Sequence, residues 1–404
     1  MLYGAIIGTI LGFIAGIIPG IHSNTFSALI LSASPFLLLY FSLSDLSAMI
    51  IASAIAYTIV NIIPATFLGV PSEDTVVSIL PAHRMVLEGK GFEVISLSCL
   101  SSLFAIFVSL PLFFTTLFIG MNYEILRIAT PFVLLSTAFL LIMSERGEEF
   151  EGSLSAWRKR FYATLVFLCS GLLGYVSLNN SELAEINPAG SVLLPLLTGL
   201  FGAPVLLFSA FSRNSRIPRQ ERSLSFPDLG TALKGSLAGF FVSIFPGISS
   251  GVATVISSIG EKSDRGYIIA MSSANTANAI LCFFMLIAIG RTRSGSADAL
   301  KSLNLIPSFQ DIAILSMISG TLAFLLTMAV SLLIIRKIDL LGGRKISFAV
   351  FLFLIVLIFA LTGFYGLAVF LSAIPIGVST QFLGVKRINC MGCLMIPVTI
   401  WYIA

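Results

Sequence analysis

Hydrophobic runs follow one another along this chain in a plan that repeats once. A run over about 2–40 is interrupted at Pro19-Gly20, and unbroken apolar runs follow near 46–68, 92–120, 122–143, 161–178 and 191–212. After the polar, basic stretch Arg213 to Pro227 the plan restarts. A run over about 232–259 is interrupted at Pro246-Gly247, then runs lie near 266–290, 308–336, 346–362, 364–383 and 389–404. Each unbroken run approaches the ~20 residues a helix needs to cross ~30 Å of hydrocarbon. The pattern predicts an all-α polytopic membrane protein with about ten full transmembrane helices and two Pro-Gly-broken helical hairpins.

The two interruptions are versions of one sequence. Gly8 to Ser23 reads GTILGFIAGIIPGIHS and Gly235 to Ser250 reads GSLAGFFVSIFPGISS, identical at eight of sixteen positions. A second correspondence follows: Ile51-Ala52 and Ala56-x-Thr58-x-x-x-Ile62 align with Ile269-Ala270 and Ala274-x-Thr276-x-x-x-Ile280. The chain therefore divides into membrane repeats at 1–222 and 223–404.

Charge sets their orientation. The loops richest in Lys and Arg are 144–160, 213–222 and 336–345, and positive loops stay cytoplasmic. Between Arg222 and Arg336 lie two unbroken runs plus the interrupted one, so parity requires the interrupted segment to return to its own side. Each half then has an odd number of crossings, whether the interrupted segment is a re-entrant hairpin or two full crossings, and the two halves are expected to be inverted-topology repeats. Only Arg127, Arg291, Arg293 and Lys301 fall outside in this scheme.

Composition agrees. Of 404 residues 57% are hydrophobic and 10% charged, against about 25% charged in soluble domains. Met1 to Ile7 carries no positive leader region, so the first segment is expected to be retained. A basic face for nucleic acid is lacking. Cys390-x-x-Cys393 has no second pair or His to complete a metal set, and no hydrolase, P-loop or zincin motif appears, so enzyme activity and cofactors are not expected.

Matched interrupted segments in the two halves of a membrane chain point to a transporter binding site. Both restarts carry helix-capping chemistry: His22, Ser23, Asn24 and Thr25 after Pro19-Gly20, and Ser249, Ser250 and Gly251 after Pro246-Gly247. Bare amides at a helix start favour anions. Two such tips brought together would hold a carboxylate or phosphate. Asn275, Thr276 and Asn278 either coordinate substrate or Na⁺, or pin helices together. Glu73 and Asp74 either carry a coupling proton or Na⁺ or lie in a solvated loop. Arg291 and Arg293 either grip phosphate or are solvated.

At these motifs the chain resembles the large permease subunit of the tripartite tricarboxylate transporter family. Its G-x-x-x-G-x-x-P-G signature is similar to Gly12-x-x-x-Gly16-Ile-Ile-Pro19-Gly20. Its G-I-P-G segment and following stretch resemble Gly69-Val-Pro71-Ser72 through Pro81-Ala-His-Arg-Met85 to Gly91, and its Asn-rich span resembles Ser272 to Asn278. The chain departs from the pattern at Ser72-Glu73 and at Gly290-Arg-Thr-Arg293. The resemblance implies a multi-pass plasma-membrane transporter of small organic anions, driven by Na⁺ or H⁺, with a small membrane subunit and an extracellular binding protein as partners. Phe245-Pro-Gly-Ile-Ser-Ser-Gly251 also looks like the P-G-x-S-G of a family that returns polyprenyl phosphate carriers across membranes, which makes a lipid phosphate the alternative cargo.

Overall fold

The structure is a computed structural model that describes residues 1–18, 23–67, 79–145, 153–184, 192–211, 218–245, 250–257, 261, 263–336 and 343–403. Among the described residues there is no strand. The principal helices are α1 (Leu2–Ile17), α2 (Ser23–Ser32), α3 (Leu43–Val60), α4 (Gly91–Met121), α5 (Tyr123–Met143), α6 (Ser153–Asn179), α7 (Leu193–Leu197), α8 (Ala203–Phe211), α9 (Leu229–Ile244), α10 (Ser250–Ser257), α11 (Asp264–Ile289), α12 (Gly295–Ser302), α13 (Phe309–Arg336), α14 (Gly343–Phe382) and α15 (Gly392–Ile403).

Among the described residues seven helices are long and apolar enough to cross a membrane, and shorter apolar helices cover Leu2–Ile17, Leu193–Gly202, Leu229–Ile244 and Arg387–Ile403. α1 has 16 residues and so is about 24 Å long, short of a full crossing. The last long helix bends at Gly363, with φ 62° and ψ −155°. This is a conformation open to glycine, and it separates the apolar runs that the sequence places at 346–362 and 364–383. Two runs differ from simple spans. The 191–212 run is interrupted by a π turn at Thr198–Gly202, and the 389–404 run opens with a 3₁₀ turn at Arg387–Met391.

Three second-half helices, α9, α11 and α12, start on side-chain caps. Asp228 accepts the Thr231 N–H at 2.7 Å, Ser263 that of Gly266 at 3.0 Å and Ser294 that of Ala297 at 3.2 Å, each cap contributing about 1 kcal/mol.

Two apolar clusters fix the helix directions. One gathers Leu46 and Met49 from the start of α3, Phe113 from the end of α4, Phe284 from the end of α11, Leu300 of α12 and Ile312 near the start of α13. The Phe113 ring lies 5.0 Å from Phe284 and 4.6 Å from Phe309. The other gathers Ile59 and Val60 from the end of α3, Phe92 and Ile95 from the start of α4, Ile268 and Ile269 from the start of α11, Ala232 of α9 and Ile335 of α13. Hence α3 runs antiparallel to α4 and α11, and α13 antiparallel to α4.

Glycines set how closely the interrupted segments approach. A methyl on Gly8 or Gly12 would overlap the carbonyls of Met49 or Ser53, and one on Gly235 or Gly239 those of Ala270 or Ala274. The order of these contacts makes α1 parallel to α3 and α9 parallel to α11. Since α3 starts where α1 starts, the chain through α2 returns to the side it left.

The closely packed helix pairs fall into two groups. One comprises α1–α4 and α9–α13; the other comprises α5–α8, α14 and α15. They meet through side chains, among them Ala238, Val242, Phe245 and Val252 against Leu134, Ala138 and Val369. Exposed apolar residues line the outside, such as Ile125, Ile128 and Phe132. The most buried spans are Leu43–Phe67 and Asp264–Ile289, at 94% and 72% against 39% or less elsewhere. These are the two spans that align in the sequence.

The linker between the halves is strapped across the start of α4. Glu221 N–H donates to Gly89 O at 2.7 Å, Gln220 Oε1 accepts the Gly91 N–H at 2.7 Å, and Ser225 N–H reaches Ser96 Oγ at 3.1 Å. Beneath it the buried Glu93 carboxylate accepts from Ser225 Oγ at 3.0 Å and pairs with the Arg265 guanidinium at the start of α11.

Candidate functional site: the ends of α1 and α9

The aligned threonines meet. Thr58 Oγ1 and Thr276 Oγ1 stand 3.1 Å apart, both buried, where α3 crosses α11. The Thr58 hydroxyl also donates within its own turn, to Ile55 O at 2.8 Å, which leaves Thr276 as the donor across the crossing. The helix ahead of each interruption ends beside this crossing. Gly16, near the end of α1, lies against Val60 and Asn61, and Gly239, in α9, lies against Ala274 and Asn278.

Asn61 is the residue that sequence reading missed. It is 4% exposed, and its Nδ2 has no hydrogen-bond partner among the described residues. Leaving a buried amide unsatisfied costs about 1–3 kcal/mol, so folding alone gives no reason for it. Its only sequence signal is an amide inside an apolar run, just past Thr58.

The other expected site residues are placed as follows. Pro19, Gly20, His22, Glu73, Asp74, Pro246, Gly247 and Ser249 lie outside the described residues, as does the side chain of Thr25. Ser23 and Asn24 open α2. There Asn24 Oδ1 accepts the Gly295 N–H at 3.0 Å, and Ser27 Oγ sits 2.7 Å from Ser296 Oγ, so the first restart is tied to α12. Ser250 and Gly251 open α10 and are buried. α2 packs within the cluster around Phe113, α10 within the cluster that joins the two groups.

In α11, Asn275 is buried and Asn278 half-buried, its Oδ1 accepting from Cys282 Sγ at 3.8 Å. Ser272 Oγ donates to Ser98 Oγ at 2.7 Å. The hydroxyls here, Thr276 included, pin α11 to its neighbours. Cys390 and Cys393 are buried and not joined in a disulfide.

Arg291 and Arg293 do come together with chemistry, though not at these tips. They follow α11 in an open cleft of about 750 Å³, shared with Asn179, Lys301, Trp401 and Tyr402. Both guanidiniums lie over the Tyr123 ring, 5.2 and 5.7 Å from its centroid.

The profile described as "Tripartite tricarboxylate transporter TctA family" matches residues 2–392. An uncharacterized protein of Methanocaldococcus jannaschii is 31% identical over 400 residues, covering 95% of this chain and 94% of the relative. No solved structure matches the chain significantly.

Proposed function

Because the chain belongs to the tripartite tricarboxylate transporter TctA family, a family of membrane permeases, we propose that it moves a small organic anion, a carboxylate, across the plasma membrane by secondary active transport. The substrate is held where the ends of α1 and α9 flank the Thr58–Thr276 crossing, by the amides that open α2 and α10 and by the Asn61 side chain. A Na⁺ or H⁺ gradient drives uptake. By its family the chain works with a small membrane subunit and an extracellular binding protein.

The observation that carries this reading is the buried, unpartnered Asn61 amide beside the end of α1. A donor left unsatisfied in a dry interior suits a negative oxygen supplied by a ligand. Helix directions support the rest. α3 and α11 are equivalent in sequence, run oppositely and touch at equivalent threonines. α4 and α13, the next unbroken spans of each half, also run oppositely. These opposed directions support the inverted-topology reading, in which substrate sites lie at the repeat interface.

Uptake into proteoliposomes tests it, with labelled citrate and shorter di- and monocarboxylates offered under an imposed Na⁺ or proton gradient. Gradient-dependent accumulation above empty vesicles is expected. Accumulation at the empty-vesicle level for every carboxylate, together with movement of polyprenyl phosphate, would replace this reading with the lipid-carrier one.

A further inference from the structure

We infer that the cleft carrying Arg291 and Arg293 is a second anion site, separate from the helix tips, that takes one phosphate group, from a lipid headgroup or free in solution. The site is assembled from both helix groups: Arg291, Arg293 and Lys301 come from α12 and the loop before it, Trp401 and Tyr402 from α15.

Among the described residues three cations converge here without an acidic partner. Of the nearby acids, Asp298 accepts the Thr292 hydroxyl at 3.2 Å and Glu124 pairs with Arg127 at 3.7 Å. Among the described residues neither Arg291 nor Arg293 is in an ion pair. Arg293 Nε is buried with no partner, while its other nitrogens meet only neutral hydroxyls, that of Tyr123 at a long 3.4 Å and that of Tyr402. Like charges held together with donors unspent call for an anion between them.

The cradle is also rigid. Cation–π contact with one shared ring holds both planar forks, each suited to bidentate phosphate contact. Gly290, at φ 65°, ends α11 and turns the chain. Lys301 Nζ donates to Gly290 O at 2.8 Å, closing the loop, while Asn24 Oδ1 holds its far end through Gly295.

Access decides the source. The cleft is open, so free phosphate can enter, and the neighbouring Met121, Ile125, Trp401 and Ile403 are exposed apolar residues at 64% or more, so a lipid headgroup can reach it from the bilayer edge.

The test is thermal melting of the purified full chain in detergent, titrated with inorganic phosphate or with short-chain phosphatidic acid. Stabilisation by phosphatidic acid alone identifies a headgroup site, and stabilisation by both identifies a general phosphate site. In either case Arg291→Gln and Arg293→Gln should raise the apparent Kd at least about tenfold. Arg291→Gln removes only an exposed guanidinium and keeps the test open if Arg293→Gln misfolds. Arg127→Gln, on the same face, should bind as the parent does, and so should Asn61→Leu. The inference is overturned if neither probe stabilises the parent, if the Arg291 and Arg293 variants bind unchanged, or if Arg127→Gln or Asn61→Leu weakens binding as much.

Discussion

Thr58 and Thr276, 218 positions apart, hold their hydroxyl oxygens 3.1 Å apart at the buried crossing of α3 and α11. They are the same position of a duplicated sequence. The contact therefore joins aligned positions of the two matched segments.

An interhelical hydroxyl bond in a membrane protein is worth about 0.6 kcal/mol on average. A double-mutant cycle with Thr58→Val and Thr276→Val should therefore give a coupling energy below about 2 kcal/mol, read by thermal melting in detergent. A much larger coupling would mean that the pair is part of a wider polar network.

The glycine faces of α1 and α9 predict equal sensitivity in the two halves. Gly12→Leu and Gly239→Leu each drive a side chain into a neighbouring carbonyl. Overpacking of this kind costs about 1–3 kcal/mol. Both variants should lower folded yield and melting temperature, whereas Gly290→Ala, with nothing within 4 Å of an added methyl, should change them only through its positive φ.

Asn61 separates stability from function. Asn61→Leu removes a buried unsatisfied donor, so it should leave the melting temperature unchanged or raise it. Uptake should nevertheless fall at least about tenfold, or ~1.4 kcal/mol. Loss of stability with normal uptake in the folded fraction would assign Asn61 to packing.

Glu145, just past the end of α5, gives a pH signature. It is 3% exposed and accepts from Lys386 N–H at 2.8 Å and Asn389 Nδ2 at 2.7 Å. Burial raises its pKa above the ordinary 4.5, although Lys386, Asn389 and Lys159 pull the other way. A raised carboxyl favours the folded state while protonated, and that contribution is lost as pH rises from about 4.5 through the raised value. The melting temperature should therefore decline over that window relative to Glu145→Gln, and parallel pH curves for the two proteins would contradict it.

Much of this architecture is legible because lipid imposes it. Apolar length placed α4, α5, α11 and α13 closely, whereas the two runs expected as separate spans at 346–362 and 364–383 form one helix bent at Gly363. The helix Ser153–Asn179 begins before its apolar run at 161–178, since Trp157 to Arg160 continue the helix without being apolar enough to register as a span. The duplicated glycines marked α1 and α9, since close backbone approach demands them.

The candidate site was legible only where it repeats. Thr58 and Thr276 stood out by alignment, and the structure adds that they touch. Asn61 has no counterpart amide in the second half, where Ala279 aligns with it, so duplication could not reveal it. The cluster of Tyr123, Arg291, Arg293 and Tyr402 joins three helices remote in sequence, and no periodicity connects them.

The central claim is tested most directly by a cryo-electron microscopy map of the protein in lipid nanodiscs with a carboxylate it transports. The account predicts density for the carboxylate beside Asn61, between the ends of α1 and α9 and within hydrogen-bond distance of the amides that open α2 and α10. A bound carboxylate seen elsewhere, with apolar side chains filling the space around the Thr58–Thr276 crossing, would contradict it.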